Sequence, residues 1–224
     1  MRSRLRTVRE VRAGLLPGAF LPPDWRPDRD RLEPGPAPSE HLLAGRGIRL
    51  RPLGPGDRPL LVAGFERLSP ESRYHRFLAP VPRLTSSLLA FLTDVDQVNH
   101  FAWAAFMSED GIEAGVGIAR FVRLADRAAA DPAITVIDAY QGRGIGGALL
   151  DGLVVEALEV GITRFEGLVL AENVPSRRML ARAGARFERD GGAQVRFLLD
   201  LPARAAALGL EPWCSPIATT VGMQ

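Results

Sequence analysis

Gly142, Gly144, Gly146 and Gly147 stand between an apolar run, Ile134 to Ile137, and a segment of helical periodicity that starts near residue 144. Glycines at such a junction let the backbone approach a ligand closely, and the first turn of a helix points N–H groups that have no partner within the helix. The chemistry this arrangement suits is the binding of an anion, above all a pyrophosphate, at the helix N-terminus. Arg143 sits inside the bend, where its charge would add to the attraction.

Two spacings overlap in this bend. Gly142, Gly144 and Gly147 satisfy G-x-G-x-x-G, the dinucleotide fingerprint. That reading requires the strand to open its domain and the following strand to end in an acidic residue about twenty positions on. Here the bend lies past the middle of the chain, and Glu166 stands near the start of the next apolar run, Phe165 to Leu170. The second spacing is Q/R-x-x-G-x-G/A, met by Gln141, Gly144 and Gly146. It resembles the acyl-CoA pyrophosphate loop of the GNAT N-acetyltransferase superfamily. Downstream, Leu170 to Phe187 is similar to that family's second block, a strand ending in Asn173, a short helix, then Gly184 and an aromatic. Upstream, Ile48 to Leu53, Asp57, and Leu68 to Leu78 resemble the opening of the subgroup that contains bacterial protein-lysine acetyltransferases.

The resemblance covers residues 46 to 201 and implies an acetyl-CoA-dependent N-acetyltransferase, with coenzyme A as product. It implies direct attack of a primary amine, from a protein lysine or a small molecule, on the thioester. Cofactor contacts are then expected from Gln141, Gly142, Arg143, Gly144, Ile145, Gly146 and Gly147 of the bend and from Asn173 and Ser176. Backbone amides of Val136 or Ile137 are expected to meet the thioester oxygen and the pantetheine arm. The subgroup's general base is a glutamate ten residues before the loop glutamine, which here falls on Asp131, one methylene shorter. Asp131-Pro132 also reads as a loop-to-strand junction, and Asp126, Asp94 and Asp96 are lesser candidates for the base. The tyrosine many members use to protonate the leaving thiolate is replaced by Leu180. Asn173 is equally a helix cap by type and position. These departures leave open a second function, a noncatalytic acyl-CoA-binding sensor.

The elements that must position these groups are legible in the pattern. Ile134 to Ile137 reads as a strand covered on both faces. Leu149, Leu150, Leu153, Val154, Ala157 and Leu158 repeat at helical spacing opposite Asp151, Glu156 and Glu159, predicting a helix over about 144 to 160. A first strand at 48 to 53 leads to a helix after Pro55-Gly-Asp57, a second opens at Ser69-Pro70-Glu71, and a third follows Thr85. Tyr74 and Phe77 on the second helix are expected in the core, and His75 reads as a solvated or structural histidine, with lining the acceptor entrance as the alternative. Strands are expected at 101 to 107, 114 to 124, about 165 to 171, 186 to 189 and 194 to 200, with a helix at 174 to 183. The fold class is α/β, a mixed and mostly antiparallel sheet with helices on both faces.

The 224 residues suit one core with tails, at average hydrophobic (46%) and charged (24%) content. Residues 1 to 45 begin with arginines and continue with seven prolines from Pro17 to Pro38, which forbid a continuous helix or central strand. They read as an extended or mobile arm, or as one that wraps a partner subunit in a homodimer. Residues 202 to 224 read as a tail, in which Ala203 to Leu208 is one helical turn or two and Trp213 could pack on the domain. No apolar run approaches the roughly 18 residues of a membrane span. A net charge of +2, with acids interspersed among the arginines, gives little basis for nucleic-acid binding. A single cysteine, Cys214, and three histidines without ligand spacing predict no disulfide framework and no metal site, and a cytoplasmic setting. All 28 basic residues are arginine, so the chain offers no lysine side chain for its own acetylation.

Overall fold

The computed structural model describes residues 41–43, 47–109, 112–189 and 192–210. Eight strands form one sheet in the order β1-β2-β3-β4-β5-β6-β8-β7. They are β1 His41–Leu43, β2 Ile48–Pro52, β3 His100–Glu109, β4 Ile112–Arg123, β5 Ala129–Val136, β6 Arg164–Leu170, β7 Arg186–Arg189 and β8 Gln194–Asp200. Among the described residues six α-helices accompany them: α1 Arg58–Glu66, α2 Pro70–Phe77, α3 Ser86–Thr93, α4 Ile145–Glu159, α5 Val174–Arg182 and α6 Leu201–Ala207. Every strand pair is antiparallel except β5 with β6, and that parallel pair keeps ladder register only at Ala129↔Arg164 and Ala130↔Phe165. Beyond Ala130 the two strands part. The mixed, mostly antiparallel sheet is thus as expected, and its one parallel junction opens into a split.

Local chemistry sets the helix starts. Ser69 accepts from the Ser72 N–H at 3.1 Å and Thr85 from the Leu88 N–H at 3.2 Å, each satisfying one orphan donor of its helix. Asp57 ends a 3-10 turn by pairing with Arg51 at 2.6 Å, which ties the end of β2 to the start of α1. That guanidinium holds the Asp57 carboxyl below its ordinary range, against the opposing effect of burial. Helix α4 buries Leu149, Leu150, Leu153, Val154 and Ala157, about 1.5–3 kcal/mol for each of the larger side chains. It sits so near the sheet that a Cβ on Gly152 would come within 3.0 Å of the Trp103 ring. Under it Phe101 and Phe121, register partners across β3 and β4, stack at 5.2 Å, with Phe165 continuing the row at 6.1 Å from Phe121.

Four local expectations change. Strand β5 starts at Ala129, so Asp131-Pro132 lies inside it and not at its junction; Pro132 falls where β6 has departed, a position at which its missing N–H leaves no gap in the ladder. Only the first half of β5 is buried, because Ala133 to Val136 have lost their neighbour on one edge. Strand β1 lies within the segment expected to be an arm, since the proline argument ends at Pro38 and Leu43 is free to pair with Ile48. Tyr74 is 36% exposed and is not core. At the other end α6 follows β8 directly, capped by Asp200, and Arg204 reaches Asp151 of α4 at 2.7 Å. Residues 1–40 of the arm, and Trp213, lie outside the described residues.

Candidate active site

The glycine bend sits at the carboxyl end of β5, where the sheet splits, the position at which open α/β sheets receive ligands. Gly142 and Gly144 have φ of 75° and 77°, a conformation that side-chain-bearing residues rarely adopt. Gly144 is the N-cap of α4, and no side chain caps that helix. Its first N–H groups therefore point outward from residues 145 to 147. A Cβ at Gly146 would meet the Met179 sulfur at 3.1 Å, so this glycine admits α5, while Gly147 faces open space. Arg143 lies over the Tyr140 ring at 5.0 Å, and Arg67 approaches the same ring at 5.7 Å. Tyr140 is buried as a packing aromatic. These features fit a pyrophosphate, because the cradle presents backbone donors and, among the described residues, no atom outside the bend and its helix lies within 4 Å of a Cβ built on Gly142 or Gly147.

Strand β5 supplies the second part of the site through its parity. The Ile137 N–H donates to the Val116 carbonyl at 2.9 Å and so faces β4. Ile137 is thereby corrected as a thioester donor, for its amide is already used in the sheet. Alternation along an antiparallel ladder turns the amides of Ile134 and Val136 to the other edge, into the split. Pantetheine would find there an unpaired strand edge, in the manner of β-augmentation. The groove beside it, about 70 Å³, is lined by Ile134, His75, Asn173, Ser176, Met179 and Leu180, among others. Asn173 and Ser176 are thus brought to the groove, while the Asn173 side chain also caps α5 by accepting from the Ser176 N–H at 3.1 Å.

Gln141 is placed otherwise than a phosphate contact would require. Its side-chain nitrogen donates to the Val136 carbonyl at 3.0 Å and to the Ser72 hydroxyl at 3.2 Å, bracing the bend from within. Behind it stands Asp138, which sequence reasoning missed. Its carboxylate accepts from the Ser69 N–H at 3.1 Å, the Ser69 hydroxyl at 2.8 Å and the Ser72 hydroxyl at 2.9 Å. Partial burial pushes the Asp138 carboxyl up, but these donors outweigh it and hold the group below its ordinary value. The partners lie more than sixty residues upstream, so no local motif announces them.

Asp131 is 8% exposed and sits on β5 where the split begins. Its Oδ1 lies so near β6 that a Cβ on Gly167 would approach it to 2.6 Å. The lesser candidates have structural work: Asp126 pairs with Arg164 at 2.7 Å, Asp94 with Arg58 at 3.3 Å, and Asp96 accepts the N–H groups of Val98, Asn99 and His100. His75 lies between Glu71 and Glu172 at 3.9 and 4.0 Å. Leu180 is buried in the groove wall. Among the described residues no cluster of His, Cys, Asp or Glu could hold a metal ion, and no helix is long and apolar enough to cross a membrane.

Residues 48–186 match the family model described as an acetyltransferase (GNAT) domain. The chain is 39% identical over 162 residues to acetyltransferase Pat of Mycolicibacterium smegmatis, covering 72% of this chain and 48% of that protein. It is 32% identical over 151 residues to acetyltransferase PA5475 of Pseudomonas aeruginosa, covering 67% of this chain and 81% of that one. The chain thus spans about half the length of the first relative and most of the second. Among solved structures, the GNAT domain of S. lividans PAT superposes with a TM-score of 0.64 at 32% identity, over 72% of this chain and 96% of that one. The putative acetyltransferase yncA of Salmonella typhimurium, solved with its cofactor acetyl-CoA, shares the fold at a TM-score of 0.55 and 20% identity, over 69% of this chain and 94% of that one. Acetyl-CoA is the cofactor of this family. With the split sheet, the open helix end and a match across most of its folded length, the chain belongs to the GNAT acetyltransferase family.

Proposed function

We propose that the protein is an N-acetyltransferase that binds acetyl-CoA in the split between β5 and β6 and passes the acetyl group to a primary amine. The observation that carries this reading is the coincidence of an uncapped helix N-terminus with a free strand edge at one end of β5. When bound, acetyl-CoA supplies an activated thioester carbonyl. The bend amides, with Arg143 beside them, hold the pyrophosphate, and Asn173 and Ser176 border the pantetheine path. Val136 directs its N–H to the edge where a thioester oxygen would need a donor. Asp131, acting directly or through one water, takes the proton from the incoming ammonium. Coenzyme A leaves as the thiolate without a side-chain acid, since Leu180 occupies that place, and takes its proton from solvent.

Two observations favour a second reading, an acyl-CoA sensor without turnover: the Asp131 carboxylate packs toward Gly167, and the acid position is apolar. Thiol release from acetyl-CoA, measured with a panel of small amines and lysine-bearing proteins, separates the two. For the enzyme, at least one acceptor raises release above hydrolysis, and Asp131→Ala lowers that rate about 10²–10⁴-fold with cofactor affinity retained. Tight coenzyme A binding with no responsive acceptor establishes the sensor. An Asp131→Ala protein of undiminished turnover removes Asp131 from the chemistry.

A further inference from the structure

On the sheet face covered by α1 and α2 lies a cavity of about 120 Å³. Its wall is mostly apolar, with Leu60, Leu61, Phe65, Phe77 and Ile118 prominent, and Thr135 of β5 also borders it. Among the described residues the charged ones that line it are Arg67, Arg76 and Arg120, and no acidic side chain does. Arg120 is the unusual one. It is only 3% exposed, and it donates through Nη2 to the Leu92 carbonyl at 2.8 Å, while Nη1 meets His100 Nε2 at 3.0 Å.

Neither partner carries a negative charge. His100 is held neutral, its pKa driven well below the ordinary value by burial first, then by the charges of Arg120 and Arg76. Burial, with Arg76 adding to it, also lowers Arg120 itself to about 9. Among the described residues Arg120 has no carboxylate partner, and a second guanidinium, Arg76, faces the same space. A buried cation left without a counter-charge is strongly disfavoured, and a ligand anion brought beside it recovers the loss. Arg76 also lines the cofactor groove, so the cavity and the groove meet at this residue.

We propose that this cavity is a binding site for a small monocarboxylate with a short apolar tail, its carboxylate on Arg120 and its tail among the leucines and phenylalanines of α1 and α2. The planar guanidinium suits a carboxylate held by parallel hydrogen bonds. The apolar wall gives the tail its share of the binding. A phosphate monoester, more highly charged and more strongly hydrated, would incur a larger desolvation cost against a wall this apolar. The proposal requires neither acetyl transfer nor acetyl-CoA, so its failure and that of the enzymatic reading are separable.

The test is calorimetric titration of the full chain with 4-methylpentanoate and, separately, with its neutral amide, 4-methylpentanamide. The acid is expected to bind at least about tenfold more tightly than the amide, the worth of a charge-assisted hydrogen bond. Methyl resonances of Leu61 and Ile118 should shift on addition of the acid. Arg120→Met should abolish the preference for acid over amide. Should that variant not fold, the acid–amide pair on the wild type still decides, and Arg76→Gln should reduce the preference. Equal binding of acid and amide, binding of neither, shifts confined to the glycine bend, or an unchanged preference in folded Arg120→Met would each overturn the proposal.

Discussion

Asp138 is the residue whose removal tests most directly how the bend is held. Asp138→Ala deletes an acceptor of three hydrogen bonds, from the Ser69 N–H and the hydroxyls of Ser69 and Ser72. Each is worth about 0.5–1.5 kcal/mol net, and the total must be discounted because the carboxylate is partly open to solvent. A loss of about 2 kcal/mol results, or roughly 4–8 °C in midpoint for a domain of this size. Asp138→Asn keeps one acceptor oxygen and should lose about half as much. The damage should reach the cofactor as well. Ser72 no longer held by Asp138 releases Gln141, and a loss of about 1 kcal/mol in bend order weakens coenzyme A binding about fivefold. The sign with pH follows from the lowered pKa. Its stabilisation is whole above the ordinary value of 3.8 and is lost as pH falls below it toward the folded value. Thermal denaturation at pH 7 and pH 3, with calorimetry of coenzyme A, reads all three effects. A variant as stable as the wild type at pH 7, with unchanged affinity, would refute the argument.

Gly167→Ala places a Cβ within 2.6 Å of Asp131 Oδ1 and 2.9 Å of the Phe197 ring, neither of which can yield freely; about 1–3 kcal/mol of destabilisation is expected, partly relieved in the double variant with Asp131→Ala, as a thermal double-mutant cycle would measure. Glu156 is raised to about 7, by burial first and by Glu159 second. A carboxylate raised in the folded state costs stability as pH rises from 4.5 to 7, so Glu156→Gln should gain about 1 kcal/mol at pH 8, after discounting for exposure, and nothing at pH 4. Denaturant midpoints at the two pH values check the sign.

The helices and the closing hairpin were legible because their signals are local. Ser69, Thr85 and Asn173 cap where their types and positions suggest, and α4 buries the stripe its periodicity predicts. What stayed hidden depends on strands meeting or parting. The length of β5 and the exposure of its second half follow from where β6 leaves it, which an apolar run cannot record. The direction of the Ile137 amide follows from the register with β4. The Asp138 network and the buried Arg120 beside His100 join residues far apart in the chain. Composition identifies arginine as abundant but cannot distinguish the one deprived of solvent.

The alternation of amides along β5 has a consequence for how this segment can vary. Because neighbouring peptide groups serve opposite edges, deleting or inserting one residue between Asp131 and Val136 would exchange the two sets of donors and turn each side chain to the other face at once. Residues of the strand that serve only through their backbone can drift in identity while the count of residues cannot. A length change of two would keep the parity but shift the glycine bend by some 6–7 Å relative to the carboxylate. Indel libraries across this stretch should therefore yield far fewer folded, ligand-competent proteins than substitution libraries of equal size.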